Sequence, residues 1–246
     1  MRNIKLTLEY DASRYHGWQR IGTGESDNTI ENKILNIIKE MTGESVEINC
    51  ASRTETGVHA YAQVINFKLK SDMKIYEIKN HFNRYLPMDI AVIDAKEMHE
   101  RFHASLNPKS RTYLYRIAVG DVRSVFDRKY TYYSFKKPNI SIMRTASKLL
   151  IGQHDFKDFS SVKKSKSTIK EIYQIEINQT DKEVQITIKA NDFLHNMARM
   201  IVSTLLDIGI GVREPEDIYK IFDKDSDMVG SFNVEAQGLF LKEVEY

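Results

Sequence analysis

The sequence predicts an α+β fold made of two related split β-α-β halves sharing one sheet. Three observations predict it. Segments of two-residue alternation and of helical periodicity follow in the order β-α-β-β-α-β over residues 2–98. Nearly the same order returns over 111–245. The composition is globular, 41% hydrophobic and 28% charged in 246 residues, enough chain for one large domain or two small ones.

The first strand is 2–10, where Ile4, Leu6, Leu8 and Tyr10 alternate with polar residues. Residues 29–41 place Ile30, Ile34, Ile37, Ile38 and Met41 at helical spacing, with Asn28 as N-cap and Glu31 three residues on. Strands at 46–50 and 61–68 follow. A second helix over 73–86 carries Ile75, Ile78, Phe82 and Leu86. It stops at Pro87, whose ring disfavours helical backbone in the preceding residue. IAVIDAKEM, 90–98, is the next strand. This is the order of ferredoxin-like folds. In the second half, strands at 111–119 and 130–134 precede a helix at 140–151 closed by Gly152. Strands at 169–178 and 183–190 come next, then a long helix at 193–208 ending at Gly209. A short acidic helix at 215–222 and a strand at 238–245 complete the series. The halves divide as 1–105 and 106–246, joined near 103–110.

One cysteine, Cys50, leaves no internal disulfide and fits a reducing, cytoplasmic compartment. MRNIKLTLEY lacks the apolar core of a signal peptide, and no run of 18 apolar residues predicts a membrane span. Net charge is only +2, but nine Lys/Arg against two Asp/Glu give residues 101–137 a local +7. Tyr113, Tyr115, Phe126, Tyr130, Tyr132, Tyr133 and Phe135 are interleaved with those cations. Phosphates and stacked bases suit such a zone.

Several motifs carry nothing. His99-Glu100-Arg101-Phe102-His103 has the H-E-x-x-H spacing of zinc peptidases. That chemistry needs a helix through both histidines, whereas here a strand ends at Met98 and Asn107-Pro108 closes the other side. No metal site is expected. Gly22-Thr23-Gly24 lacks the third glycine of a dinucleotide loop and the Gly-Lys of a P-loop. Cys50 occupies an apolar alternating position, as a packed thiol does.

Two features remain. Arg199, in LHNMARMIV, is a cation among apolar residues on a helix, and a buried guanidinium needs an anionic partner. ASRTETGVHA, 51–60, crowds Arg53, Thr54, Glu55 and His59 into one tight connection. Such a loop can hold a carboxylate at a cleft floor, with Arg53 reaching toward a polyanion, and pairing with Arg199 would keep Glu55 ionised.

At these residues the chain resembles the TruA-type tRNA pseudouridine synthases over essentially its full length. EYDASRYHGWQR resembles that family's EYDGSxYxGWQ, and NRYLPMDIAV its N-x-x-LP-x-DIAV stretch. ERFHASLNPKSRTYLYRI resembles FHARFSA followed by RxYxY. FLHNMARMIV is similar to FL-x-x-MVR, QGLFL to GLxL, and SRTETGVHA to GRTDAGVHA. The resemblance implies two ferredoxin-like halves sharing a mainly antiparallel central sheet with helices packed on it, and an active cleft between the halves. It implies isomerisation of uridine to pseudouridine in the anticodon stem-loop of tRNA, at positions 38, 39 and 40, without cofactor or metal, by a cytoplasmic homodimer. By motif position the catalytic residues are Glu55, Tyr113 and Arg199. Arg53, His59, Arg111 and Arg116 are the RNA-binding candidates.

The chemistry accounts for these types. A carboxylate attacks or deprotonates the nucleoside, an aromatic wall holds the freed uracil, and a base takes the carbon-5 proton. The uridine must also leave its stack, a cost that stacking and phosphate contacts offset. The chain departs from the family in one respect: Glu55 stands where the family has Asp, flanked by Ser52 and Thr56 in place of Gly and Ala. One extra methylene moves the carboxylate by roughly 1–1.5 Å on a fixed backbone, and about 1 Å costs about 10²-fold in a positioned reaction. Two readings follow: a loop adjusted to Glu, or a relative that binds tRNA with impaired or no turnover.

Overall fold

The structure, a computed structural model, describes residues 1–19, 26–162 and 167–246. Gly22-Thr23-Gly24 lies outside them. Two compact units form: residues 1–109 together with 240–246, and residues 110–239. The last strand, which element order assigns to the second half, returns to the first unit. Each unit is α+β, and most of its strand pairs are antiparallel.

The first unit contains β1 (Arg2–Tyr10), α1 (Ile30–Thr42), β2 (Asn49–Cys50), β3 (His59–Leu69), α2 (Ile75–Tyr85) and β4 (Ile90–Met98). This is the expected β-α-β-β-α-β order. Strand β1 lies between β4 and β3 and is antiparallel to both, with Ile4 opposite Phe67 and Glu97. Along the other edge of β3 lie β2, antiparallel with Asn49 opposite Asn66, and β10 (Leu239–Glu245), parallel with Phe240 opposite His59. That pairing brings the end of the chain back. The apolar stripes expected on the helices are the faces buried: Ile30, Ile34, Ile37 and Ile38 of α1, and Ile78 and Phe82 of α2.

Boundaries differ from expectation for local reasons. Thr29, not Asn28, caps α1, accepting from the Asn32 N–H, while the Asn28 amide donates to the Arg14 carbonyl at 2.7 Å. Gly43 closes α1 with φ 72°, the left-handed conformation glycine adopts without steric cost. Only the last two residues of the expected strand 46–50 pair.

The second unit contains β5 (Ser110–Ala118), β6 (Tyr132–Tyr133), α3 (Ile140–Ser147), β7 (Gly152–Asp155), β8 (Ile169–Gln179), β9 (Glu183–Ala190), α4 (Met197–Gly209) and α5 (Asp217–Phe222). Strands β5, β9, β8 and β7 are consecutive antiparallel neighbours, while β6 runs parallel to β5. Helix α3 ends at Ser147, and Gly152 opens a strand instead of closing a helix. Helix α4 begins four residues later than its apolar pattern predicts. Asn196 takes φ 63°, the one non-glycine residue with positive φ among those described, so the helix cannot extend back through it. Helix α4 ends at Gly209, which is also a packing glycine. A Cβ there would come within 2.7 Å of the Met143 side chain of α3. No helix among the described residues is long and apolar enough to cross a membrane.

Candidate active site

Strand β2 ends at Cys50 and β3 begins at His59, so residues 51–58 must turn between them. The Val58 N–H donates to the Glu55 carbonyl at 3.1 Å, and Gly57 at φ 78° supplies the left-handed step. Ser52, the residue before Arg53, is clamped on both its backbone groups by the buried amide of Gln63 on β3. Its Oε1 accepts from the Ser52 N–H at 3.2 Å, and its Nε2 donates to the Ser52 carbonyl at 2.5 Å and lies 3.3 Å from the Tyr10 hydroxyl. That hydroxyl is 2.8 Å from Thr54 Oγ1. Gln63, Tyr10 and Thr54 thus form one buried chain of hydrogen bonds. Arg53 and Thr56 remain exposed and Glu55 half-buried. The backbone is fixed while the Glu55 side chain keeps partial access to solvent.

The YHGW segment explains itself here. The Trp18 N–H donates to the Thr54 carbonyl at 2.9 Å, and Gly17 at φ 80° packs directly on residues 54–56. On its other side the segment closes the first turn of α1. The Gly17 carbonyl accepts from the Ile30 N–H at 3.2 Å and the Trp18 carbonyl from the Glu31 N–H at 2.8 Å. Trp18 is wholly buried beside Tyr10, with ring centroids 6.4 Å apart. Burial pushes the Glu31 carboxyl above its ordinary range, against the opposing pull of Arg53 and, more weakly, of the Trp18 indole. That indole N–H makes no hydrogen bond of good geometry among the described residues. Helix, strap and loop are therefore one assembly. The sequence singled out the loop but missed Tyr10, Gly17, Glu31 and Gln63 as parts of it. Gln63 carried a signal, an amide inside the apolar run YAQVINF, where an unpartnered polar group would be costly.

His59, an RNA-binding candidate, lies inside this unit at 1% exposure. Its Nδ1 accepts from the Ala12 N–H at 3.1 Å and lies 3.3 Å from Asp11 Oδ1, and its ring stacks on Phe240 with centroids 4.7 Å apart. It fixes backbone beside the loop and presents no surface to a ligand.

The remaining candidates belong to the second unit. Arg111, Tyr113 and Tyr115 share one face of β5 at the two-residue period. Arg111 is buried, with Nη1 3.1 Å from both the Asn191 carbonyl and Asp192 Oδ1. Tyr113, 6% exposed, meets Phe193 edge to face at 4.9 Å. The Tyr115 hydroxyl donates to the Glu235 carbonyl at 2.6 Å, and burial drives its pKa well above the ordinary value despite the charge of Arg199. A Cβ on Gly238 would strike that ring at 2.7 Å, which accounts for the glycine of QGLFL. Arg116, on the opposite face of β5, is held by Glu183 in a two-pronged ion pair, both bonds 2.8 Å. Arg111 and Arg116 thus do structural work within their unit, and Arg53 is the exposed cation of the four RNA-binding candidates.

Arg199 enters on the first turn of α4. Nη2 and Nε donate to the Val234 carbonyl at 2.9 and 3.3 Å, Nη1 to Asn196 Oδ1 at 3.4 Å, and the guanidinium lies over the Phe232 ring at 4.5 Å. The side chain is half-buried and oriented by four contacts.

His99 and His103 lie in a turn, not on a helix. The Asn3 and Asn66 amides hold that turn through the carbonyls of residues 99 and 102 and the Ala104 N–H. Among the described residues no cluster of three or more His, Cys, Asp or Glu is placed to hold a metal.

Comparison with known proteins places these features. Two curated relatives match along the whole of both chains: tRNA pseudouridine synthase A 2 of Bacillus cereus at 42% identity and tRNA pseudouridine synthase A 1 of Clostridium tetani at 41%. Among solved structures, an H/ACA RNP bound to a substrate RNA containing 2'-deoxyuridine matches 83% of this chain and 44% of its own, at 10% identity and a TM-score of 0.35. That likeness is too remote to carry an argument. The sequence profile described as tRNA pseudouridine synthase matches residues 8–106 and 146–246, which span the YHGW strap, the Glu55 loop and the Arg199 helix. The chain belongs to the tRNA pseudouridine synthase family.

Proposed function

We propose that this protein isomerises uridine to pseudouridine in the anticodon stem-loop of tRNA, at positions 38, 39 and 40, with Glu55 as the catalytic carboxylate. The N1–C1' bond of the target breaks, a C5–C1' bond forms, the C5 hydrogen leaves as a proton and N1 takes up a proton. The reaction is redox-neutral and balances without a cofactor. Glu55 attacks or deprotonates the nucleoside, Tyr113 walls the freed uracil and assists proton removal, and Arg199 is the cation that the family resemblance pairs with the carboxylate. Arg53 holds phosphate beside the extruded base.

One observation carries this reading. The loop 52–58 is locked through Gln63, Tyr10, Gly17 and Trp18, while Glu55 and Arg53 stay open to solvent. Rigid backbone beneath an accessible carboxylate is the preorganisation that catalysis needs. The family resemblance extends the proposal to a homodimer, which light scattering tests. Pseudouridine mapping of RNA from a host lacking this chain tests the reaction. Wild-type complementation restores pseudouridine in the anticodon stem-loop and Glu55→Ala does not. Restoration by both would mean that Glu55 is not the catalytic carboxylate, and restoration by neither would leave the protein an RNA binder without turnover.

A further inference from the structure

The second unit leaves two phenylalanines in water, Phe126 at 91% exposure and Phe135 at 88%. They belong to a loop whose base is closed firmly. The parallel pairing of β5 with β6 sets Ile117 opposite Tyr132. The Ser134 N–H donates to the Ala118 carbonyl at 3.0 Å and the Tyr133 hydroxyl to the Gly120 carbonyl at 2.8 Å. The loop is also tied internally. The Asp127 carbonyl accepts from the Tyr130 N–H at 2.8 Å and Thr131 Oγ1 at 3.1 Å, and Arg128 Nη1 donates to the Val125 carbonyl at 2.7 Å. A segment so tied, with its apolar side chains turned outward, has surface to offer a partner.

Its charge selects that partner. Residues 121–137 hold five exposed cations, Arg123, Arg128, Lys129, Lys136 and Lys137, against Asp121 and Asp127, a net +3 from five minus two. A second copy docking by two-fold symmetry would bring +3 against +3. A polyanion with flat rings matches both features.

We propose that residues 121–137 form an RNA-docking surface, where unpaired bases stack on Phe126 and Phe135 and Arg123, Lys136 and Lys137 hold phosphates. This rests on tRNA being the substrate, and adds a contact outside the Glu55 loop and its motifs. The test is equilibrium binding of unmodified tRNA, read by fluorescence anisotropy over a salt series. The Phe126→Ala, Phe135→Ala double variant binds at least tenfold more weakly, with KM rising in parallel, while Phe126→Tyr, Phe135→Tyr binds as wild type. Replacing Arg123, Lys136 and Lys137 by Gln flattens the slope of log K against log salt by about 2. Melting temperatures of these exposed variants stay at the wild-type value. Unchanged affinity and slope would overturn the proposal. So would dissociation of an oligomer in Phe126→Asp, or loss of binding to phosphatidylserine vesicles with tRNA affinity intact. The binding readout is separate from turnover. A chain that shows this pattern and isomerises nothing keeps the surface and loses the proposed reaction.

Discussion

Gly17 packs against Thr54 so closely that a Cβ on the glycine would stand 2.9 Å from the Thr54 carbonyl oxygen, with the Thr56 nitrogen at 3.1 Å. Backbone does not yield there as a flexible side chain would, and φ +80° already favours glycine. The strap that closes α1 therefore sets the height of the Glu55 loop.

Gly17→Ala is expected to lose about 1–2 kcal/mol of stability from backbone strain. It also lowers kcat by about tenfold to 10²-fold, because the loop must shift by a fraction of an ångström to 1 Å. Gly43→Ala is the control. It is strained alike at φ +72°, but a Cβ there meets nothing within 4 Å. Its melting temperature falls and its kcat holds. Equal kcat losses in both variants would remove the steric argument.

Tyr10→Phe deletes one hydroxyl and leaves Thr54 Oγ1 without that partner in a buried network. A loss of about 1–3 kcal/mol in stability is expected, with a fall in kcat at unchanged KM, since nothing that touches RNA is altered. Thr54→Val removes the same bond from its other end. The two substitutions together should cost little more than either alone, as members of one network do. Additive losses in denaturant unfolding and in kcat would mean that the bond does not hold the loop.

Glu31 gives a pH dependence with a definite sign. Burial, opposed by Arg53 and the Trp18 indole, holds its folded-state pKa above the ordinary 4.5. Between those two values the folded chain keeps a proton that the unfolded chain has released, so stability falls as pH rises through the window. Glu31→Gln lacks that fall. The melting-temperature gap, variant minus wild type, widens from pH 4.5 to pH 7; parallel curves at all pH would contradict the assignment.

Much of the fold was legible, because periodicity is local. The apolar stripes of α1 and α2 and the strands β1, β3, β4, β8 and β9 follow from the spacing of Ile, Leu, Val and Phe. Strand β7, GQHD, has no alternation and was invisible; its partner strand β8 defines it. The extra turn expected before α4 failed because Phe193 and Leu194 continue the apolar pattern past Asn196, whose backbone breaks it. In the site, the RTETG loop was visible as a motif, but its support was not. The contacts join residues 10, 17, 54 and 63, distant in the chain and polar or small in type. The ion pairs of Arg111 and Arg116 were not legible because their partners, Asp192 and Glu183, stand far along the sequence. The burial of His59, an RNA-binding candidate, was hidden for a like reason, since Phe240, which stacks on it, comes from the last strand.

Single-turnover release of tritium from carbon-5-labelled uridine in anticodon stem-loop RNA tests the central claim most directly, with wild type compared against Glu55→Gln, a change of charge without change of shape. Release by the wild type is expected, with a rate lower by about 10³-fold in the variant, while RNA affinity holds within a few-fold. Release by Glu55→Gln at the wild-type rate, or none from the wild type at stoichiometric enzyme, would contradict that claim.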